Sequence, residues 1–367
     1  MPIDRAAFSA RRDRASRSLR DRGIAALLLS AGSDLAYMAG YRISGSERLT
    51  CLVVTPDGDA TLVVPELESP RAKVAAPDLQ QRTWTETEDP YSLVASLVSA
   101  RGDLAVADQM WALFTLRLQR ALPGRGFGLA SDVTRALRIR KDAGERDALR
   151  AVSASADRAY RRVLECAFAG RREREVASDL TNLLEQEGHH EVTFTIVASG
   201  PNGASPHHAT GDRRIAAGDT IVLDFGGNRE WYCSDITRTV SVGMPGAEVT
   251  KVHDTVRRAQ EAGYAAARQG ARAESVDAAA RRVIDDAGYG SFFIHRTGHG
   301  IGLDGHEHPY LVAGNTAPLE PGMAFSIEPG VYLPGRFGVR IEDIAIIGDD
   351  GVADPLNAAD HSLAIVH

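Results

Sequence analysis

Two segments in the second half of this 367-residue chain each present a pair of carboxylates behind an apolar run. The first leaves Gly218, ends its apolar run on Asp224, and returns through Ser234 to Asp235, Thr237 and Arg238. The second leaves Gly322, ends its run on Glu328, and returns past Gly335 to Arg340, Glu342 and Asp343. In both, an acid stands six residues after a glycine and a second acid lies on the returning arm. Folding each segment about its turn, near 229–230 and at Gly335, predicts hairpins in which Asp224 faces Asp235 and Glu328 faces Glu342. Like charges directly opposed across strands are destabilising. Two such pairs on apolar strands therefore imply cations between them.

A ligand of another kind lies between the hairpins, in the stretch His295 to Gly302. His295 and His299 have the four-residue spacing of helical zinc ligands, but Gly298, Gly300 and Gly302 oppose a helix. The stretch is expected to be extended, with glycines admitting a close neighbour and His299 aimed at the acids. Four carboxylates and a neutral imidazole carry a charge of about −4, which two divalent cations balance. A donor set rich in oxygen, with one nitrogen and no thiolate, suits Mn²⁺, Co²⁺ or Zn²⁺ and differs from a structural zinc site. Two ions held together lower the pKa of a shared water and present it as hydroxide to a polarised carbonyl. That is hydrolytic chemistry. Two other matches fail on context. Asp224-Phe225-Gly226 spells the kinase magnesium triplet without its companion motifs, and His306-Glu307-His308 lacks the spacing of a zinc-protease helix.

The elements that position these residues fall into two groups. The first third reads as an α/β unit, with strands over 24–29, 49–54 and 60–64 and helices over 93–98 and 113–122. Arginines with interspersed acids fill its opening helix, which is expected to be solvated with its Ala, Phe and Leu positions inward. The domain boundary is set near 138, giving domains 1–138 and 139–367. The second domain opens with helices over 142–168 and 173–187 before the first hairpin. Helices over 247–269 and 274–287 precede the second, so an internal αβ duplication is expected. The length accommodates two domains and an ample core. A net charge of −7 and a pI near 5.9 argue against nucleic acid as the main partner. Three scattered cysteines, Cys51, Cys166 and Cys233, read as reduced thiols of a cytosolic protein. The N-terminal stretch has no secretory signal pattern, and the apolar run 24–29 is too short to span a bilayer.

The acids and the histidine, with the strings SDITRT, HRTGHGIG, SIEPG and VRIED, resemble the metal site of the M24 or pita-bread metallopeptidases. That family includes proline dipeptidases, aminopeptidase P and methionine aminopeptidase. The resemblance implies an α+β pita-bread catalytic domain with an internal pseudo-two-fold repeat, preceded by an α/β domain of the creatinase/prolidase N-terminal type. The N-terminal domain counts against methionine aminopeptidase. The intact acids and histidine count against creatinase and against non-enzymatic peptide- or histone-binding relatives. Gly200 to His208 and His306 to Pro309 bring the chain nearest to bacterial Xaa-Pro dipeptidases.

On that resemblance, Asp224, Asp235, His299, Glu328 and Glu342 hold two divalent ions, Mn²⁺ ahead of Co²⁺ or Zn²⁺. His207 contacts substrate, and His306 stabilises the tetrahedral intermediate in an oxyanion-type role. Glu328 doubles as the proton shuttle. Arg340 orients Glu342 or holds the substrate carboxylate, and Thr237 supports a ligand from behind. Further candidates for the substrate carboxylate are His207 and, where a dimer partner contributes its arginine across the cleft, Glu47-Arg48 of the N-terminal domain, whereas His208 and His308 are structural or peripheral. The implied substrates are short proline-containing peptides, Xaa-Pro dipeptides ahead of the longer peptides of aminopeptidase P. A cytoplasmic homodimer without nucleic-acid or membrane partners is expected. Two positions depart from the family pattern: Gly305 stands where valine is common, and Tyr310 where some prolidases carry an arginine.

Overall fold

A computed structural model describes residues 5–367, which divide into two compact units, one ending at Arg138 and the other running Ile139–His367. Among the described residues, the first unit carries a six-stranded sheet. Its inner strands Ala26–Leu29 and Cys51–Val54 are apolar and buried throughout, as strands covered on both faces must be. The opening helix Arg5–Arg22 buries Phe8, Ala15 and Leu19 as expected, but Arg11 and Arg12 are buried with them. The expectation of a merely solvated basic face is corrected here. The helix Ser33–Ala39 ends against these arginines. Arg11 stacks 4.0 Å over the Tyr37 ring and donates to the Tyr37 carbonyl at 3.2 Å, and Arg12 donates to the Met38 carbonyl at 2.8 Å. Carbonyls in a last helical turn lack intrahelical donors, and guanidinium groups supply them.

The second unit begins at a capping box. Asp142 Oδ1 accepts from the Glu145 amide and Glu145 Oε2 from the Asp142 amide, both at 3.0 Å, opening the helix Ala143–Val163. The helix Glu173–Gln186 follows, then a four-stranded sheet of Glu191–Ser199, Thr220–Arg229, Tyr232–Val242 and the C-terminal strand Ala364–Val366. The pattern then repeats. Helices Ala247–Ala266 and Ala273–Asp286 precede a five-stranded sheet whose inner strands are Gly298–Gly300, Ala324–Ile327 and Asp343–Ile347. Each helix pair buries its apolar stripe on its own sheet: Val176, Leu180 and Leu184 meet Leu223 and Phe225, and Val276 meets Phe325 and Ile327. Among the described residues, no helix is long and apolar enough to cross a membrane.

The two hairpins differ in register. In the second, Ile327 pairs with Asp343 and Gly330 with Arg340, so Glu328 stands opposite Glu342 in a short break of the ladder. Facing acids were expected there. In the first, Asp224 pairs with Thr237, and Asp235 stands opposite Gly226. The expected Asp224–Asp235 opposition is therefore displaced by two residues and becomes a diagonal on one face. The cause is the turn. Arg229 pairs with Tyr232 around Glu230 and Trp231, whose φ values of 49° and 77° are both left-handed. Such a two-residue hairpin turn normally announces itself through Asn or Gly.

Candidate metal centre

The floor of the centre is set by side-chain alternation along the strands. Asp224 on one strand and Asp235 and Thr237 on the next project to the same face, and an isolated bridge joins Thr237 to Glu342. Glu342 thereby reaches the acids of the first hairpin, and Glu328 follows from the opposite arm. His299 lies on the short strand Gly298–Gly300. A Cβ on Gly298 would collide with the Ser326 carbonyl, and one on Gly300 with the His308 carbonyl, so only glycine lets this strand sit so close to its neighbours.

The donor atoms converge. One triad is Asp224, Asp235 and Glu342, another is His299, Glu328 and Glu342, and within each the donor atoms lie within 4.8 Å of one another. Glu342 belongs to both. His299 Nδ1 donates to the Gly300 carbonyl at 3.1 Å, leaving Nε2 as a lone-pair donor 3.3 Å from Glu328 and 3.7 Å from Asp235. A third triad joins Asp235 and His299 to His306, whose ring centroid is 3.7 Å from that of His299.

Arg340 does not reach Glu342, which corrects one expectation. Its Nη2 donates to Asp224 at 2.6 Å and its Nε to Thr237 Oγ1 at 3.0 Å, while Nη1 meets the Tyr332 hydroxyl at 2.8 Å and the Pro206 carbonyl at 3.5 Å. The link to Glu342 runs through Thr237, which donates to Glu342 Oε2 at 2.7 Å. Ser326 performs the corresponding service opposite, accepting from the His299 amide at 3.0 Å and donating to Glu328 at 3.1 Å. His295 belongs to the wall. Its Nδ1 donates to the Arg296 carbonyl at 2.7 Å and its Nε2 accepts from Tyr332 at 2.8 Å, so it is held away from the acids.

The electrostatics are those of a site that wants positive charge. Burial raises Asp235, and Asp224 and Glu328 raise it further. Burial likewise raises Glu342, reinforced by Asp235. Burial pushes Glu328 up to about 7, against the lowering pull of Arg340. Its side chain is 15% exposed, the least enclosed of the four acids. Burial lowers His299 to about 3, so it is neutral at physiological pH. Two buried oxygens, Asp224 Oδ1 and Glu342 Oε1, have no hydrogen-bond partner among the described residues. Buried acceptors are nearly always satisfied. Orphaned carboxylate oxygens, a neutral imidazole nitrogen and adjoining triads sharing one acid fit a pair of divalent cations.

Above this floor lies a cavity of ≈480 Å³, which His207 and His306 border with Phe194, Ile196, Pro206 and Arg296. Both histidines are on its solvent side. His306 is lowered by burial and by Arg296, and its Nδ1 accepts from Arg296 at 3.2 Å, which leaves Nε2–H to donate. Arg48 is ion-paired with Glu47 and Glu86 within its own unit. Gly305 has open space beside its Cβ position. Some contributors were not legible. Buried Glu173 accepts from Ser199, Asn202 and His208 at 2.7–2.9 Å and so braces the loop that carries His207. Its sequence neighbourhood is an ordinary helix start. Tyr332 and Ser326 likewise gain their roles by joining a near neighbour, Arg340 or Glu328, to a histidine farther off, His295 or His299.

Comparison with known proteins gives the family. The model of metallopeptidase family M24 matches residues 147–349, and that of the creatinase/prolidase N-terminal domain matches residues 11–140. The chain belongs to metallopeptidase family M24. Probable dipeptidase PepE of Mycobacterium tuberculosis is 46% identical over 99% of this chain and 98% of its own length. An Xaa-Pro dipeptidase of Lactobacillus delbrueckii subsp. lactis is 35% identical, covering 92% and 94% respectively. The crystal structure of dipeptidase PepE from Mycobacterium ulcerans superposes with a TM-score of 0.94 at 45% identity over the whole of both chains. The pita-bread architecture with its creatinase/prolidase N-terminal unit, and the peptidase class of the enzyme, stand as expected from the sequence.

Proposed function

We propose that this enzyme hydrolyses Xaa-Pro bonds in short peptides, Xaa-Pro dipeptides first among them. Asp224, Asp235, His299, Glu328 and Glu342 hold two divalent ions, Mn²⁺ before Co²⁺ or Zn²⁺. The pair of orphaned, buried oxygens on Asp224 and Glu342 carries this reading. Bound there, two such ions would supply Lewis-acid polarisation of the scissile carbonyl and a water made nucleophilic at neutral pH. Glu328 is the acid with most access to the cavity, which supports a role for its Oε as acceptor of the water's proton and donor to the leaving proline nitrogen. His306 Nε2–H faces the developing oxyanion, fixed in that tautomer by Arg296 at Nδ1. His207 contacts substrate from a loop braced by Glu173. Phe194, Ile196 and Pro206 give an apolar wall for the residue before proline or for proline itself.

Arg340 positions Asp224 and Thr237 rather than binding substrate, since each of its nitrogens is engaged. We further propose a cytoplasmic homodimer that acts on peptides and not on nucleic acid. Three free cysteines and a net charge of −7 support the location and the partner class, and sedimentation tests the dimer. The substrate reading is tested by turnover of Ala-Pro, Ala-Pro amide and Ala-Pro-Ala with Mn²⁺-loaded protein. Ala-Pro is expected to exceed its amide in kcat/KM by at least about tenfold, equivalent to roughly 1.4 kcal/mol. Equal turnover of all three contradicts the dipeptidase reading and favours an aminopeptidase P.

A further inference from the structure

We infer that Arg296, laid over the ring of Tyr310, binds the C-terminal carboxylate of the dipeptide, an inference that rests on the dipeptidase reading above. A dipeptide presents a free carboxylate one residue beyond its scissile carbonyl, and the cavity wall must meet that charge. Arg340, which the sequence suggested for this task, has no nitrogen to spare: its groups are committed to Asp224, Thr237, Tyr332 and Pro206. Arg281, nearby in the chain, is also committed, to Asp277 at 3.1 Å and to the Phe293 and His295 carbonyls at 2.9 Å. Arg296 differs. It borders the cavity, its guanidinium carbon lies 4.3 Å over the Tyr310 ring, and its one hydrogen bond among the described residues goes to His306 Nδ1 at 3.2 Å. No carboxylate among the described residues lies in ion-pair range of it, so most of its five N–H donors remain for a ligand.

Position supports the assignment. Arg296 meets the Nδ1 edge of the His306 imidazole, whose ring lies beside that of His299 with centroids 3.7 Å apart. One residue of extended chain spans about 3.3–3.6 Å. A proline whose nitrogen sits beside His306 therefore places its carboxylate one step outward, toward Arg296, whereas a tripeptide's carboxylate lies a further step away. The aromatic platform fixes the plane of the guanidinium, which suits bidentate capture of a carboxylate. Tyr310, the departure from an arginine seen in some prolidases, thus becomes the support on which an arginine from the neighbouring strand connection rests.

The test compares Ala-Pro with Ala-Pro amide on Mn²⁺-loaded wild type, Arg296→Gln and Arg296→Lys. The wild type is expected to prefer the free acid at least about tenfold. In Arg296→Gln that ratio should collapse toward one through a rise in KM confined to Ala-Pro, on top of any kcat loss that His306 transmits equally to both substrates, and Arg296→Lys should restore part of the ratio. If Arg296 only steadies His306, the glutamine variant loses kcat on both substrates and keeps the ratio, which overturns the inference while leaving the dipeptidase reading intact. A wild type that does not discriminate overturns both. The lysine variant and metal content of each protein distinguish a changed site from a misfolded one.

Discussion

The two faces of the strand Tyr232–Val242 handle buried charge in opposite ways. On one face, Asp235 and Thr237 belong to a cluster of four acids with a single buried arginine and two orphaned oxygens, in which Asp235, Glu328 and Glu342 have pKa values pushed upward. On the other, Arg238 and Asp343 form an ion pair at 2.6 Å with each side chain 1% exposed. There Arg238 also donates to the Glu342 carbonyl at 2.6 Å and to the Thr237, Ala359 and Asp360 carbonyls at 2.9–3.0 Å. Asp343 accepts from Gln260 at 3.0 Å and from His361 at 2.5 Å. The back face is charge made self-sufficient. The front face, one residue away in sequence, is charge left open for cations. Since Arg238 grips the backbone of Thr237 and Glu342, the closed pair also holds the open one in place.

That contrast can be broken from either side. Asp235→Ala or Glu342→Ala should abolish peptide hydrolysis and lower the bound metal, because the remaining acids no longer complete the triads; parent-like turnover by either variant would contradict the ligand assignment. Arg238→Met should act on stability, leaving Asp343 buried without its cation at a cost of about 3–5 kcal/mol in denaturant unfolding. A variant as stable as its parent would show that the back-face pair is replaceable. His306→Ala should lower kcat about 10²–10³-fold with metal content unchanged, the usual effect of losing one oxyanion donor. Loss of an ion together with activity would instead make His306 a ligand through its triad with Asp235 and His299.

The smallest effect concerns pH. Glu328 is raised from 4.5 to about 7 by burial, so the folded metal-free chain binds more protons than the unfolded one between those values. For an acid with a raised folded pKa, stability falls as pH climbs through that window, and the loss is complete above it. Glu328→Gln should accordingly stabilise metal-free protein by roughly 1–3 kcal/mol more at pH 7.5 than at pH 4.5. A pH-independent difference in thermal midpoint would argue that Glu328 is ionised throughout.

Much of the framework was legible because local signals agreed. Apolar runs bounded by turns gave the strands Cys51–Val54 and Ala60–Pro65, and Gly335 with φ of 72° fixed the turn that sets Glu328 against Glu342. The first hairpin was misread by two residues because Glu230 and Trp231 adopt left-handed conformations without the residues that usually mark them. Arg340 was legible as a site residue, but not as one fully consumed by Asp224, Thr237 and Tyr332. Saturation of a guanidinium depends on partners more than a hundred residues away in the chain. Glu173 and Arg296 were missed although their partners lie only 10–35 residues away, because the loops that bring them together follow no regular spacing. Composition and spacing reveal clusters of donors, whereas the partners left over after folding appear only in three dimensions.

On the proposed reading, hydrolysis depends on a two-ion site at the open face. Titration of Mn²⁺ into chelated protein, following heat, proton release and Ala-Pro turnover in one experiment, tests it most directly. Two ions per chain are expected to bind, with protons released as the raised acids ionise and turnover appearing only with loading. Full turnover by the chelated protein, or an absence of binding with the fold intact, would contradict it.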